Sequence, residues 1–353
     1  MTQNEWKDKA LINKLELDKL EYYGKKDCWK EYCRYKMKQF YSLILHKNYI
    51  PVYKHYAGKR VLGFRECNKA ISEAIRNREP YWVGRYGMNE MNIIVETLRY
   101  YKHLPNQRER TLENLCTGAG FFPNNIESCD KFVEKMIECS RDLDLHAIWP
   151  MSMEDYIIRY FEKENVQLTR LGYLEPWNKY RYGNKEEDME FWTAALEGKK
   201  VLVVHPFTDS IVKQYKEKRR ELFSKVVLNA DEILPQFDLI PVKAVQTCAG
   251  QRDERFASWF EALDYMRNIC QKTDFDVAII GCGAYGFPLA WSIKKMGKVA
   301  IHLGGATQLM FGIRGKRWDT EDFNRYVANA SWIRPDSSER PAGLNRVEEG
   351  CYW

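Results

Sequence analysis

The chain has 353 residues, 45% hydrophobic and 29% charged, an ordinary globular composition that excludes disorder, collagen and coiled coil as descriptions of the whole. Its 55 basic and 49 acidic residues leave a net charge of +6, too mixed in sign to require nucleic acid but suited to a polyanionic ligand such as a diphosphate. The 10 cysteines are scattered with no C-x-x-C pair, which argues against a disulfide framework or zinc ribbon and fits a reducing cytoplasm.

In chain order, residues 1–60 carry apolar positions at helical spacing (Leu11, Leu15, Leu20, then Tyr32, Tyr35, Met37, Tyr41, Leu45) and predict a helical N-terminal arm. A solvated helical face packing on the main body is the favoured reading. Peripheral contact of this basic, aromatic arm with an anionic membrane surface is the alternative. Glu5, Lys7, Asp8 and Lys9 interrupt any leader-like run after Met1.

Residues 61–190 form a first predicted α/β region, with strands at 81–84 and 146–149 and helices at 90–101 and 154–164. Residues 175–189, rich in Pro, Trp, Tyr and Gly, read as a loop over a cleft or an interdomain connection. A second, Rossmann-like region spans 191–320, with strands at 200–205, 239–246, 276–281 and 299–303. The apolar run 277–293 is broken by Gly281, Gly283, Gly286 and Pro288 and falls short of the ~20 residues needed to span a bilayer, so it reads as strand, turn and helix. Residues 321–353 are a Ser/Pro/Arg-rich tail ending in an aromatic segment expected to dock. The expected fold is α/β, with Rossmann-like, mostly parallel sheets flanked by helices and preceded by the helical arm.

Three strand-end loops carry the chemistry. Gly84-Arg85-Tyr86-Gly87-Met88-Asn89-Glu90 is a strand–loop–helix junction of the kind that binds phosphate, where Arg85 would clamp a diphosphate and Glu90 would hold a metal or accept a proton. A tight turn in which Arg85 and Glu90 neutralise each other is the bland alternative. Gly281-Cys282-Gly283-Ala284-Tyr285-Gly286 resembles a dinucleotide loop, but its third glycine comes early and no acidic residue closes the next strand, which disfavours a nicotinamide enzyme. Gly304-Gly305-Ala306-Thr307-Gln308 repeats the pattern one strand later. His205 closes a buried strand, where it could donate to phosphate, ligate a metal or act as a base. His302 and Cys248 read as buried structural residues, and Asp142-Leu143-Asp144 reads as a strand-entry turn.

Arg85-Tyr86-Gly87-x-x-Glu90 resembles the Arg-Phe-Gly-Asp-Gly-Glu signature of GT-D-type glycosyltransferases, a bacterial group with a Rossmann-like fold and nucleotide-sugar donors. Val203-Val204-His205-Pro206-Phe207, Ala284-Tyr285-Gly286, His302-Leu303-Gly304-Gly305-Ala306-Thr307-Gln308 and Glu349-Gly350-Cys351-Tyr352-Trp353 resemble uncharacterised bacterial relatives of that group, some associated with polysaccharide loci. The resemblance covers roughly residues 80 to 353. It implies a cytoplasmic glycosyltransferase that moves a sugar from a nucleotide-diphosphate sugar to a glycan or lipid-linked acceptor in bacterial polysaccharide biosynthesis. Glu90 and His205 would be catalytic. Gly84, Arg85, Tyr86, Gly87, Gly283, Tyr285, Gly304, Gly305 and Gln308 would contact the nucleotide. Met88 stands where the signature has Asp, so Glu90 alone carries over as a ligand for Mn or Mg. Two other readings keep the fold: a non-catalytic nucleotide- or glycan-binding protein, and a methyl or nucleotidyl transferase.

Overall fold

Runs such as Val201-Leu202-Val203-Val204 and Val277-Ala278-Ile279-Ile280 are too continuously apolar for a half-exposed sheet, and they pair as parallel strands buried on both faces. The computed structural model describes residues 54–149, 151, 153–179, 190–341, 343, 345 and 347–353, with residues 33, 36, 37, 40 and 44. Most of the expected helical arm lies outside the described residues; the few described positions from 33 to 44 are helical.

The first strands are β1 (His55–Tyr56), β2 (Lys59–Leu62), β3 (Tyr81–Gly84), β4 (Leu145–Ile148) and β5 (Gln167–Arg170). Among them run helices α1 (Phe64–Asn77), α2 (Met88–Tyr101), α3 (Arg108–Ala119), α4 (Ile126–Ser140) and α5 (Glu154–Tyr160). The later half contributes β6 (Lys200–His205), α6 (Thr208–Lys218), β7 (Asp238–Lys243), α7 (Trp259–Lys272) and β8 (Val277–Ile280). It ends with α8 (Gly286–Lys295), β9 (Val299–His302), the single turn α9 (Thr307–Met310) and α10 (Glu321–Tyr326).

All of these strands belong to one 9-stranded sheet in the order β1-β2-β5-β4-β3-β9-β8-β6-β7. Every pairing is parallel except the β1–β2 hairpin. The expected α/β class is what the chain adopts. The two stretches read as successive α/β regions share this sheet, because β3 of the first pairs with β9 of the second through Trp82 and Ala300.

Alternate strand residues feed two cores. Leu202, Val204, Ala278 and Ile280 face a layer containing Met91, Phe132, Trp259 and Leu289, whereas Val201, Val203, Val277 and Ile279 face Phe64, Trp192, Ile211 and Phe323. Helices therefore cover both faces.

Some local expectations shift. The β1–β2 hairpin lies at the end of the stretch read as the helical arm, and Gly58 makes its turn at φ +78°. Strand β5 has the sequence Gln-Leu-Thr-Arg, which is too polar to announce a strand; it is held by pairing with β4 and β2. Helix α8 begins at Gly286, inside the expected glycine loop. Asp142 and Asp144 do form a strand-entry turn: Asp144 accepts the Trp82 N–H at 2.9 Å, and Lys294 bridges the two carboxylates.

Candidate functional site

In a parallel sheet all carboxyl ends lie on one edge, so the neighbours β3, β9, β8 and β6 deliver their following loops to one place. There the three glycine-bearing loops and the residues after His205 line a cavity of about 650 Å³. Arg85, Tyr86, Gly87, Glu90, His205, Gly283, Tyr285, Gly304, Gly305 and Gln308 all border it. Gly84 does not; a Cβ there would collide with Trp82, Leu143 and Phe287, so its small size serves the packing of the sheet.

Arg85 crosses from the end of β3 to the end of β9, where its guanidinium lies directly on Gly304. A Cβ at Gly304 would collide with that guanidinium, and its φ of +61° is itself in the left-handed region. Arg85 Nε is buried with no hydrogen-bond partner. Such an orphan donor is costly unless something external accepts from it.

Glu90 occupies the third position of α2 and folds its carboxylate back onto Gly87, leaving no room there for a Cβ. Only 8% exposed, it is pushed up from the usual carboxylate range by burial, against the opposing pull of its own backbone N–H and of Arg85. Arg85 and Glu90 are thus seated on different glycines rather than clasped together. The open helix end expected at this junction is covered by the helix's own carboxylate.

His205 accepts the Phe207 backbone N–H at Nδ1, 3.0 Å away, and burial holds its pKa down to about 3. A neutral ring accepting at Nδ1 carries its proton on Nε2, so His205 presents a hydrogen-bond donor. His302 also borders the cavity. Burial and then the Arg85 charge hold it down to about 3, and its Nδ1 is buried without a partner. It is buried, as the sequence suggested, yet it belongs to the site.

Tyr86 and Tyr285 are the anchored members of the set. Tyr86 stacks on Phe287 at 4.5 Å and 25°. Tyr285 stacks on Trp259 at 5.1 Å and 9°, and its hydroxyl meets Thr247 at 2.9 Å. Gln308 donates to the Tyr352 carbonyl at 3.2 Å, holding residues 347–353 against the site. That segment docks as expected: Tyr352 lies over Gly305, its hydroxyl accepts from Arg317 at 2.9 Å, and Trp353 borders the cavity.

Beyond β3 the wall is made by Trp149, Met151, Glu175 and Asn178, which sequence reasoning did not single out. Their signal was weak: Trp149 follows a strand, and 175–178 begins the stretch read as a loop over a cleft. Trp149 and Met151 donate their N–H groups to Glu154 at 3.1 and 3.3 Å. Glu154 and Glu162 flank the buried His146 at 3.3 and 2.6 Å. Burial opposes a charge on His146, but the two carboxylates outweigh it and raise the pKa to about 10. The Tyr86 ring rests 5.4 Å from the same imidazole, so one buried cluster supports both the Arg85 loop and the Trp149 wall.

Among the described residues no three His, Cys, Asp or Glu side chains come together to hold a metal ion, and the described cysteines are free. Cys248, half-buried at the cavity rather than fully enclosed, is pushed up to about 11 by burial and stays a thiol. Among the described residues no helix is long and apolar enough to cross a membrane.

No family model matches the chain, and no curated protein does. One solved structure, described as the selenomethionine-substituted structure of domain of unknown function 1792, is similar with a TM-score of 0.44 and 12% sequence identity, over 80% of this chain and 93% of that one. A likeness at that level says nothing about what the chain does.

Proposed function

We propose that this cavity binds a nucleotide-diphosphate sugar and that the protein transfers the sugar to a glycan or lipid-linked acceptor. The observation that carries the reading is the orphan donor of Arg85, buried beside Gly304 where the ends of β3 and β9 meet, with the neutral donor His205 on the same cavity wall system. Donors fixed in place before the ligand arrives stabilise charge that develops on a leaving group without paying for reorganisation. Arg85 would hold the departing diphosphate, and His205 Nε2–H would donate to it. Glu90, raised by burial, would take the acceptor hydroxyl's proton.

A divalent cation fits poorly here. Glu90 is the lone carboxylate of its loop, its oxygens are folded on Gly87, and no three-ligand cluster exists among the described residues. No step of this mechanism passes through a cation.

One observation favours the non-catalytic alternative: Met88, 62% exposed, occupies the place of the family's Asp. Thermal-shift and calorimetric titration with nucleotide sugars, with and without Mn, test the shared binding step. Failure of every nucleotide to bind refutes the transferase and the nucleotide-binding form of the alternative. Binding followed by sugar transfer or donor hydrolysis supports the transferase, and binding without turnover supports the alternative.

A further inference from the structure

The cavity is electrically divided. Among the described residues that border it, the arginines are Arg85 and Arg317, with no lysine, and the carboxylates are Glu90 and Glu175. Both arginines gather at the end of β9. Arg85 lies on Gly304, and Arg317 donates to the hydroxyl of Tyr352, whose ring lies over Gly305. The carboxylates stand on the other side, Glu90 folded on Gly87 after β3 and Glu175 in the turns that follow β5. A phosphate is drawn to the first side and repelled from the second.

The second side joins apolar surface to fixed, planar polar groups. Of the exposed large apolar side chains among the described residues, Met88 and Trp149 border the cavity, Trp149 at 37% exposure. The Trp149 backbone N–H is held from beneath by the fully buried Glu154. Asn178 donates its side-chain amide to Glu175 Oε2 at 2.7 Å, and the buried Trp177 donates to the same oxygen at 3.1 Å. Two donors on one oxygen fix the plane of the carboxylate. An apolar face beside a few placed hydrogen-bonding groups is the make-up of a small-molecule subsite, and it matches a sugar ring, which presents C–H faces and an edge of hydroxyls.

We propose that the wall of Trp149, Glu175 and Asn178 is the acceptor subsite and that it takes an uncharged sugar ring, packed on Trp149 and held through its hydroxyls by Glu175 and Asn178. This assignment rests on the reading of the cavity as a glycosyl-transfer site and narrows it: the reacting acceptor unit is a neutral glycan sugar, not a sugar carried directly on a lipid phosphate, whose charge the Glu90–Glu175 side repels. Strand β3 lies between β9 and β4 in the sheet, so Glu90 stands where donor and acceptor meet. The acceptor hydroxyl oxygen bonds to the anomeric carbon of the donor as the bond from that carbon to the diphosphate oxygen breaks. The proton passes to Glu90, and the electron pair leaves with the diphosphate held by Arg85.

The test uses the full chain saturated with uridine diphosphate, which fills the cationic side. Neutral methyl pyranosides (glucoside, galactoside, mannoside, rhamnoside and N-acetylglucosaminide) are then screened by saturation-transfer NMR. The expected result is binding of at least one, weakened about 10-fold by Trp149→Ala and several-fold by Glu175→Gln, with the affinity for uridine diphosphate unchanged in both variants. The anomeric phosphate of the sugar that binds best should bind about 10-fold more weakly than its methyl glycoside, and Glu175→Gln should narrow that gap. Retained uridine diphosphate binding reports that each variant is folded, and Glu175→Gln, which keeps shape, carries the test if Trp149→Ala is unstable. Binding of no pyranoside, equal binding in both variants, or preference for the phosphorylated sugar overturns the acceptor assignment and leaves the donor reading intact. Failure of the unaltered chain to bind uridine diphosphate overturns both.

Discussion

Gly304→Ala gives the most direct measure of whether Arg85 is the anchor. The new methyl group would sit where the guanidinium now lies, so Arg85 must swing away. Alanine at a φ of +61° costs roughly 1–2 kcal/mol of folding stability, which lowers the melting temperature by a few degrees. Displacing a charge-assisted donor from a phosphate costs a further ~1.5–3 kcal/mol in binding, or about 10- to 100-fold in affinity for a nucleoside diphosphate. Gly198→Ala separates the two effects. Gly198 has a φ of +66° and nothing within 4 Å of an added Cβ, and it precedes β6 at the sheet edge opposite the cavity. It should lose similar stability and keep its affinity. Denaturant unfolding and calorimetric titration of both variants measure the two quantities. Equal loss of affinity in both would show that backbone strain, not Arg85, is responsible, and unchanged affinity in Gly304→Ala would remove Arg85 from the site.

Glu90→Gln keeps shape and removes the charge, so turnover should fall about 10²-fold or more while the protein stays folded; unaltered turnover rules out the base assignment. His146, raised from 6.5 to about 10, contributes stability that is fully present below pH 6.5 and lost as pH rises through about 10. Denaturant midpoints should therefore fall on the alkaline side, and His146→Ala should remove that dependence while costing about 3–5 kcal/mol, because two buried carboxylates lose their partner. His205 and His302, both held down to about 3, refuse protons that the unfolded chain accepts, so stability should also fall as pH drops from 6.5 towards 3. A shallower acid limb in the double variant His205→Gln/His302→Gln than in the unaltered chain is the expected signature, the remaining slope coming from carboxylates such as Glu66 and Asp253 that are held below their usual range. Removing residues 349–353 should lower the melting temperature, since Lys316, Arg317 and Gln308 all lose partners there; no change would mean that the segment only rests on the surface.

Much of this architecture is legible in local sequence because the governing physics is local. The apolar runs at 81–84, 200–205, 277–280 and 299–302 have no polar face to show to water, which makes them buried parallel strands wherever the chain leads. Each ends in a loop with glycine, arginine or histidine, and the carboxyl edge of a parallel sheet brings such loops to a common face. Arg85, Glu90, His205 and the glycines at 283, 304 and 305 could therefore be named from residue type and place alone.

Other features were decided only when distant parts of the chain met. Strand β5 is polar, and only pairing with β4 and β2 makes it a strand. That the two halves share one sheet depends on β3 pairing with β9, more than two hundred residues away in sequence. The placement within the site is likewise tertiary: Glu90 folds its carboxylate onto Gly87, and the Phe207 N–H occupies His205 Nδ1 and leaves Nε2 to donate. Arg85 keeps its orphan Nε–H only because it is buried against Gly304 with no acceptor beside it. Local sequence sets propensity and burial pattern, whereas an unpaired donor exists only once every other partner has been placed, and that is a property of the packed whole.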